Sequence, residues 1–397
     1  MDRQAELALI DEIGDLLARG TTSMTPDVMH ISPEGLVDRD LALAERDILF
    51  RRFPLVVGPS ASIPEPGDFV TQQLAGLPLL VVRGSDGVVR VFLNLCRHRG
   101  NQLCSDGSGN KRVFSCPYHA WTFTREGACR AMVDREGFRG LDRDDYGLIS
   151  YPCEERHGFI WMVPASEKPI DIAGYLGPEL DADLAGYIGH TRHVFRYCRT
   201  SHSFNWKLGV NTFQELFHLA FLHKKTLGKA FISNLTAFRS YAPHQRLTVV
   251  RSTFPEMLTL PERARTLFPH CSLVYVLFPN VVLTWQLDHL ELWRFAPDRD
   301  DPGKCTVDLW LLTEEEPQSE KAARHWERNW EIVTQTVFEE DFDTMTKIQQ
   351  GAASRQMHEF VYGRNEIGLQ DYHNQITNAL SAGRDTTVPL VSEVLAS

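Results

Sequence analysis

The chain has 397 residues, of which 43% are apolar and 23% charged, the balance of an ordinary globular protein with enough length for two or three domains. A formal net charge of −11 argues against a general binder of nucleic acid or of anionic membrane, and no apolar run approaches the roughly eighteen residues of a membrane span. Eight cysteines are too sparse for a disulfide scaffold; Cys104, Cys129, Cys153, Cys198, Cys271 and Cys305 show no pairing rhythm and read as free thiols in a reducing cytoplasm.

In chain order, Leu7, Ile10, Ile13 and Leu17 recur at helical spacing among Asp2, Glu6, Asp11, Glu12 and Asp15. That pattern predicts a small surface helix, too acidic for a signal or transit peptide. Residues 1–45 are therefore expected to be a helical segment packing on a later domain. From 46 to 165 the runs at 55–57, 79–82, 88–94, 113–114, 121–123 and 159–161 are short and apolar. They are broken by Pro66-Gly67, Ser85-Asp86-Gly87 and Arg125-Glu126-Gly127, so this stretch reads as a small all-β domain. A Pro/Gly-containing stretch, 164–189, reads as a connector. Beyond it, 206–223 reads as a helix, 273–278, 281–287, 290–295 and 306–312 as strands, and 319–350 as one long helix entered after Pro317. The expected class is α+β, with a second domain over 166–397. No internal repeat is evident.

The small domain carries Cys96-Arg97-His98-Arg99-Gly100 and, with seventeen residues between His98 and Cys116, Cys116-Pro117-Tyr118-His119-Ala120-Trp121. Two thiolates and two neutral imidazoles suit either structural zinc or a [2Fe–2S] cluster with both Cys on one iron and both His on the other. Zinc fingers usually pair like with like, whereas each arm here has one Cys and one His, and each has a turn-former in Gly100 or Pro117. The arrangement favours the cluster. Trp121 reads equally well as a lid over the cluster or as ordinary core.

A second constellation lies in 205–223. Asn211, Glu215 and His218 fall at i, i+4 and i+7, on one stripe of a helix that is apolar nearly all round. A buried Glu and His need partners. His223 is five residues past His218, about 140° round a regular helix, so both imidazoles reach one metal only if the helix ends or carries a π-bulge. In the long C-terminal helix Trp326, Trp330, Val333, Val337, Thr344 and Ile348 form an apolar stripe that contains Asp341, while Glu340 and Asp343 are expected to point off it. Two His and one carboxylate make a facial triad for non-haem Fe(II) with positions left open for oxygen. Separately, His218 and His223 could be structural and Asp341 a cap or ion-pair partner; a redox cluster upstream shifts the balance, because an iron that activates O2 needs an electron source.

With these motifs in view, the chain resembles the large (α) subunit of Rieske non-haem iron oxygenases, which include aromatic ring-hydroxylating dioxygenases, monooxygenases and demethylases. The resemblance rests on Cys96-x-His98-Arg99-Gly100, Cys116-Pro117-Tyr118-His119-x-Trp121, Asn205-Trp206-Lys207, Glu215-x-x-His218-x4-His223 and Glu339-Glu340-Asp341. It implies an all-β Rieske [2Fe–2S] domain held by Cys96, His98, Cys116 and His119. It also implies a helix-grip catalytic domain, an antiparallel sheet with long helices, whose mononuclear Fe(II) is bound by His218, His223 and Asp341. It further implies a homotrimer in which Glu215 bridges a cluster His of one subunit to an iron His of its neighbour, with Asn211 on the same catalytic stripe. Ring-hydroxylating dioxygenases usually place Asp at the bridge; Glu215 looks more like the choline-, carnitine- and betaine-type monooxygenases.

The function expected from this resemblance is that of a terminal oxygenase component, an oxidoreductase that uses O2 to hydroxylate an aromatic or other apolar small molecule. The alternatives are a monooxygenase or N-demethylase of a quaternary ammonium compound, a Rieske electron carrier without a second metal, and a zinc-stapled binding protein. Electrons are expected from NAD(P)H through a separate flavin-dependent reductase, with or without a ferredoxin, since the chain has no Gly-rich dinucleotide fingerprint. Arg97, Arg99, Lys111, Arg112, Lys224, Lys225 and Lys229 gather around the two metal motifs and could dock an acidic carrier. Phe213, Phe217, Phe221, Val276, Phe278, Val282 and Trp285 could line an apolar pocket, but most read as core. A small β subunit in the trimer is left open.

Overall fold

The computed structural model describes residues 1, 3–105, 107–134, 136–189, 191 and 193–384. The chain divides into two compact units, Phe50–Tyr175 and a second made of Met1–Leu49 with the chain from Leu176 onward.

The Phe50–Tyr175 unit is built from antiparallel strands. Its largest sheet runs in the order Ser150–Tyr151, Val89–Leu93, Leu77–Arg83, Asp68–Leu74, Ser108–Asn110. A three-stranded sheet joins Cys153–Arg156, Phe159–Met162 and Leu55–Pro59, and another joins Val113–Ser115, Thr122–Thr124 and Cys129–Ala131. Leu79, Leu80, Val81 and Val82 are all buried, as a strand covered on both faces requires, which is why this run is easy to read. Asp68–Leu74 escaped the sequence reading because its run Asp-Phe-Val-Thr-Gln-Gln-Leu is half polar and only Phe69 and Leu74 are buried.

The other unit centres on a seven-stranded antiparallel sheet, in the order His193–His202, Cys305–Thr313, His289–Pro297, Val281–Trp285, Cys271–Leu277, His244–Arg251, Phe231–Tyr241. Every residue of Cys271–Leu277 is buried. The N-terminal helix Arg3–Ala18 buries Leu9, Ile10, Ile13 and Leu16, so its apolar face is turned slightly from the Leu7–Leu17 stripe. The segment expected to be a connector contains two helices, Ile172–Leu176 and Pro178–Tyr187; Pro178 at the first turn begins the second, where its missing N–H costs nothing. The long helix expected over 319–350 is Glu320–Thr334 and Phe342–Ala353 joined by a π-helical stretch, Gln335–Asp341, rather than an unbroken α-helix, and a further helix, Ile367–Arg384, follows it.

Cross-strand register places Asp308 opposite Arg199 on one neighbour and Arg294 on the other. Asp308 Oδ2 accepts from Arg294 Nη2 at 2.7 Å, and Oδ1 accepts from Arg199 Nε at 2.8 Å and from Tyr197 OH at 2.7 Å. Arg294 and Asp308 are both 0% exposed. Burial alone would raise the Asp308 carboxyl; the two guanidinium groups and Tyr197 more than offset it and hold it low. Asp308→Ala is expected to destabilise the protein by about 3–5 kcal/mol in urea denaturation, because it removes the buried carboxylate that two guanidinium groups share.

His289 offers a pH-dependent contribution. Its Nδ1 donates to Asp288 Oδ1 at 2.8 Å and its Nε2 lies 3.7 Å from Glu291 Oε1. Burial lowers the imidazole, but these two carboxylates overcome it and push His289 up from 6.5 to about 9. A group raised on folding stabilises fully below its unfolded value and loses that contribution as pH rises through the folded one. The thermal midpoint should therefore fall as pH climbs from about 6.5 past about 9, and His289→Gln should flatten that part of the profile.

Candidate metal centres

The two Cys/His arms fold as equivalent loops. An isolated bridge pairs Leu95 with Gln102 and so closes the loop 96–101; a strand pair between Ser115 and Thr122 closes 116–121 in the same way. In each, the Cys N–H donates across the loop, Cys96 to Asn101 O at 2.7 Å and Cys116 to Trp121 O at 2.8 Å. In each, the residue four further on donates back to the Cys carbonyl, Gly100 and Ala120 both at 2.9 Å. That turn needs positive φ, which Gly100 adopts at +73° without strain and Ala120 adopts at +56°.

The consequence is a division of sides. Cys96 and Cys116 are buried in a cluster with Phe69, Phe92, Phe114, Trp121, Phe123 and Met132. His98 is half-buried and His119 exposed, with ring centroids 4.8 Å apart. Trp121 is 1% exposed and stacks on His98 at 5.1 Å with an interplanar angle of 13°. It is therefore core and cover at once. Burial pushes the Cys116 thiol up, but N–H groups of Tyr118 and His119, with the Cys96 thiol and the Asn101 amide, outweigh it and favour the thiolate. Asn101 Nδ2 lies 3.8 Å from Cys116 Sγ. His98 is lowered by partial burial and by the charges of His119 and Arg99, which keeps the ring neutral. Buried thiols with donors aimed at them and outward-facing imidazoles fit a [2Fe–2S] cluster with Cys on the inner iron and His on the outer one.

The second group is built differently from the sequence expectation. Asn205 caps a helix that runs only Trp206–Asn211, and the chain then proceeds through turns, with a single 3₁₀ turn at His218–Ala220. The stripe of Asn211, Glu215 and His218 is therefore not on one helix, and Phe217 and Phe221 are exposed rather than buried. Turns carry His223 round to His218: Leu222 N donates to His218 O at 2.8 Å and Gly228 N to His223 O at 2.8 Å. A Cβ at Gly228 would lie 2.7 Å from Leu219 O and 2.8 Å from His223 O, so only glycine fits that close return.

The result brings His218, His223 and Asp341 together, with one candidate ligand atom from each lying within 4.8 Å of the others. The two rings are 4.9 Å apart at 73°. Asp341 Oδ1 lies 3.2 Å from His223 Nε2 and 3.7 Å from His218 Nε2, buried and without a hydrogen bond of acceptable geometry. A buried carboxylate oxygen facing two imidazole nitrogens fits a divalent metal with 2-His-1-carboxylate ligation. Glu215 Oε1 accepts from His218 Nδ1, and its Oε2 accepts from the backbone N–H of His218 at 3.2 Å. Because a carboxylate only accepts, Nε2 is the ring nitrogen left for the metal.

Two contributors escaped the sequence reading. Glu340, expected to point away, directs Oε2 to His223 Nδ1 at 2.5 Å and takes a further bond from Thr226 Oγ1 at 2.9 Å. The reason is the π-helical stretch: Phe342 N bonds back to Val337 O, and this wide turn brings Glu340 and Asp341 to the same side. Glu45 receives Trp206 Nε1 at 3.0 Å and Lys207 Nζ at 2.5 Å, so the Asn205-Trp206-Lys207 motif anchors the helix start. Asn211 Nδ2 donates to Tyr362 OH at 3.3 Å. No helix among the described residues is long and apolar enough to cross a membrane, and all eight cysteines are free.

Residues 53–141 match the Rieske [2Fe-2S] domain, and residues 189–382 match the catalytic domain of the ring hydroxylating alpha subunit. The chain is 34% identical over 149 residues to biphenyl 2,3-dioxygenase subunit alpha of Rhodococcus jostii (strain RHA1), covering 37% of this chain and 32% of that protein. It is 32% identical over 233 residues to the N,N-dimethyl phenylurea N-demethylase subunit alpha of Sphingobium sp. (strain YBL2), covering 57% and 50%. The chain thus spans about a third to a half of the length of such curated relatives. In fold it is similar to a quaternary ammonium Rieske monooxygenase in complex with L-carnitine, with a TM-score of 0.76 and 19% identity over 89% of this chain and 96% of that one. Naphthalene 1,2-dioxygenase from Rhodococcus sp. bound to indole gives a TM-score of 0.72 at 18% identity, over 95% and 98%. The two domains imply a Rieske cluster and a mononuclear iron. A Rieske [2Fe–2S] domain followed by a ring hydroxylating alpha-subunit catalytic domain defines this chain, and it belongs to that family.

Proposed function

We propose that the chain is the terminal oxygenase component of a multicomponent Rieske oxygenase, hydroxylating an aromatic or other apolar small molecule. The observation that carries this reading is the buried, unpartnered Asp341 oxygen facing His218 and His223 in a chain that also presents the thiol-and-imidazole arms. A pure electron carrier has no use for that second group. In this reading Cys96, His98, Cys116 and His119 hold the cluster, and His218, His223 and Asp341 hold the mononuclear iron. The domain limits adopted are 46–165 for the first and 166–397 for the second, with 1–45 packing on the latter.

When bound, the cluster supplies single electrons and the iron supplies the place where O2 is reduced beside the substrate. The chain's own groups do the rest. Buried Cys96 and Cys116 keep the inner sulfurs from water, while His98 and His119 face outward, where an electron can pass. Glu215 fixes the Nδ1 proton of His218, and it is the residue that would join a cluster imidazole of a neighbouring subunit to this histidine in a homotrimer. Asn211, tied to Tyr362, steadies the end of the helix that leads to Glu215.

Electrons from NAD(P)H would enter through a flavin-dependent reductase, with or without a ferredoxin, docking on the exposed Arg99, Lys111 and Arg112 of the cluster-bearing unit; Lys224, Lys225 and Lys229 are exposed on the other unit. Free thiols agree with a cytoplasmic setting. A second reading, monooxygenation of a quaternary ammonium compound, is favoured by Glu rather than Asp at 215 and by similarity to a carnitine monooxygenase oxygenase subunit, 28% identical over 181 residues. Against it, Phe204, Trp293, Phe295 and Phe342 pack on one another as buried core, not as an open cage for a cation.

Protein purified without oxygen should contain roughly three irons per chain and give a reduced Rieske EPR signal after dithionite. Zinc in place of iron, with no signal, would overturn the proposal. Cys96→Ala should be colourless and protease-sensitive across 46–165, and a stable red-brown product would refute its role as a ligand. Asp341→Ala should keep the colour and the EPR signal but lose the remaining iron and turnover with a surrogate reductase; retained turnover would move the ligand elsewhere.

A further inference from the structure

We propose that Glu340 is the positioning residue of His223, setting the orientation and proton placement of that imidazole and thereby the affinity of the site for Fe(II). The inference rests on the reading above, in which His218, His223 and Asp341 hold the iron.

His223 is 2% exposed, so neither ring nitrogen can rely on water. Nε2 points at Asp341 Oδ1. Nδ1 is 2.5 Å from Glu340 Oε2, and the same oxygen accepts from Thr226 Oγ1 at 2.9 Å. Thr226 in turn belongs to the turn that follows His223, since its N–H donates to His223 O at 3.1 Å. The carboxylate is thus held at the ring by two groups of one loop, and the ring is held by the carboxylate. A carboxylate accepts only, so the proton stays on Nδ1 and the lone pair stays on Nε2, where a metal requires it.

Glu340 differs from Glu215 in kind. Glu215 sits three residues from His218, and its second oxygen is occupied by backbone N–H groups of its own turn. Glu340 arrives from the π-helical stretch, far away in sequence, and is the neighbour of Asp341. One wide turn therefore delivers a ligand and the group that aims the ligand facing it. The wider turn, with Phe342 N–H bonded back to Val337 O, shifts the bearings of Glu340 and Asp341 from those of a regular α-helix, and Glu340 reaches Nδ1 while Asp341 faces Nε2 of the same ring.

The test measures Fe(II) affinity by chelator competition, and the ligand-field spectrum of the Co(II)-substituted site, in the full-length protein. Glu340→Leu keeps bulk but removes the acceptor; it should weaken Fe(II) by about 10–100-fold and alter the Co(II) spectrum, while the reduced cluster EPR signal stays as in wild type. Glu340→Gln keeps an acceptor and should restore affinity to within a few-fold. A Leu variant with wild-type affinity and spectrum would overturn the proposal. So would a Gln variant as impaired as Leu, since charge or packing rather than acceptance would then be at issue. Should the Leu variant fail to fold, Glu340→Asp, which retains the charge but falls short of Nδ1, decides by the same readings. Wild type and Asp341→Ala run alongside: if they hold Fe(II) equally, the iron-site reading itself fails, whereas a loss in Asp341→Ala with none in the Glu340 variants removes the positioning role alone.

Discussion

One buried oxygen organises the catalytic unit. Asp341 Oδ1 has no hydrogen-bond partner and faces two imidazoles, and each imidazole is already tied by Nδ1 to another carboxylate. Three acidic groups around two rings leave an excess of negative charge in a place water barely reaches, an arrangement that costs several kcal/mol unless a cation resolves it. Burial lowers His223, but Asp341 and Glu340 together raise it. The early end of the helix at Asn211, the glycine return at Gly228 and the wide turn before Phe342 make sense as the backbone's answers to this one electrostatic demand.

The cluster-bearing unit answers the opposite demand. There the candidate metal ligands lie on loops, and loops hold their shape through their own hydrogen bonds and whatever they enclose. The paired bonds from each Cys, and back to each Cys, give both arms the same turn. The thiols then sit in an apolar cluster and the imidazoles at the surface. Low dielectric on the sulfur side and access on the nitrogen side is the arrangement that suits single-electron traffic in one direction. Trp121 joins the two, buried by its indole and stacked on an outward histidine.

Legibility in the sequence followed the strength of local signals. The Cys/His arms were legible because four metal-binding residues gathered into two short segments, each with its own turn-former, form a pattern that few uses besides metal binding produce. Val281–Trp285 and Cys305–Thr313 were legible because apolar residues dominate them. His193–His202, Phe231–Tyr241 and His244–Arg251 were not, since their polar residues are satisfied by partners far away in the chain, such as Asp183 for Arg246 at 2.6 Å. The helix expected over 206–223 failed for a related reason: apolar residues in unbroken succession carry no period, so Phe217 and Phe221 could pass for core while standing in solvent. Asp341 was found by its place in a stripe, and Glu340 was missed by the same logic, because an α-helical wheel cannot represent a turn of another pitch.

That turn of another pitch has a broader consequence. A helix works as a ruler, assigning each residue a bearing by counting, and a long amphipathic helix commits every position to one count. The stretch at Gln335–Asp341 is a dislocation in the ruler: the flanking segments each keep their own count, burying Val333 on one side and Phe342, Met345 and Ala352 on the other. The carboxylates belong to neither count. Substitutions that drift through the flanks can repack the core without steering the acids, and changes among the acids leave the flanks' packing rhythm intact. Chain length across those few residues is what both share, so there the gain or loss of a single residue weighs more than its identity.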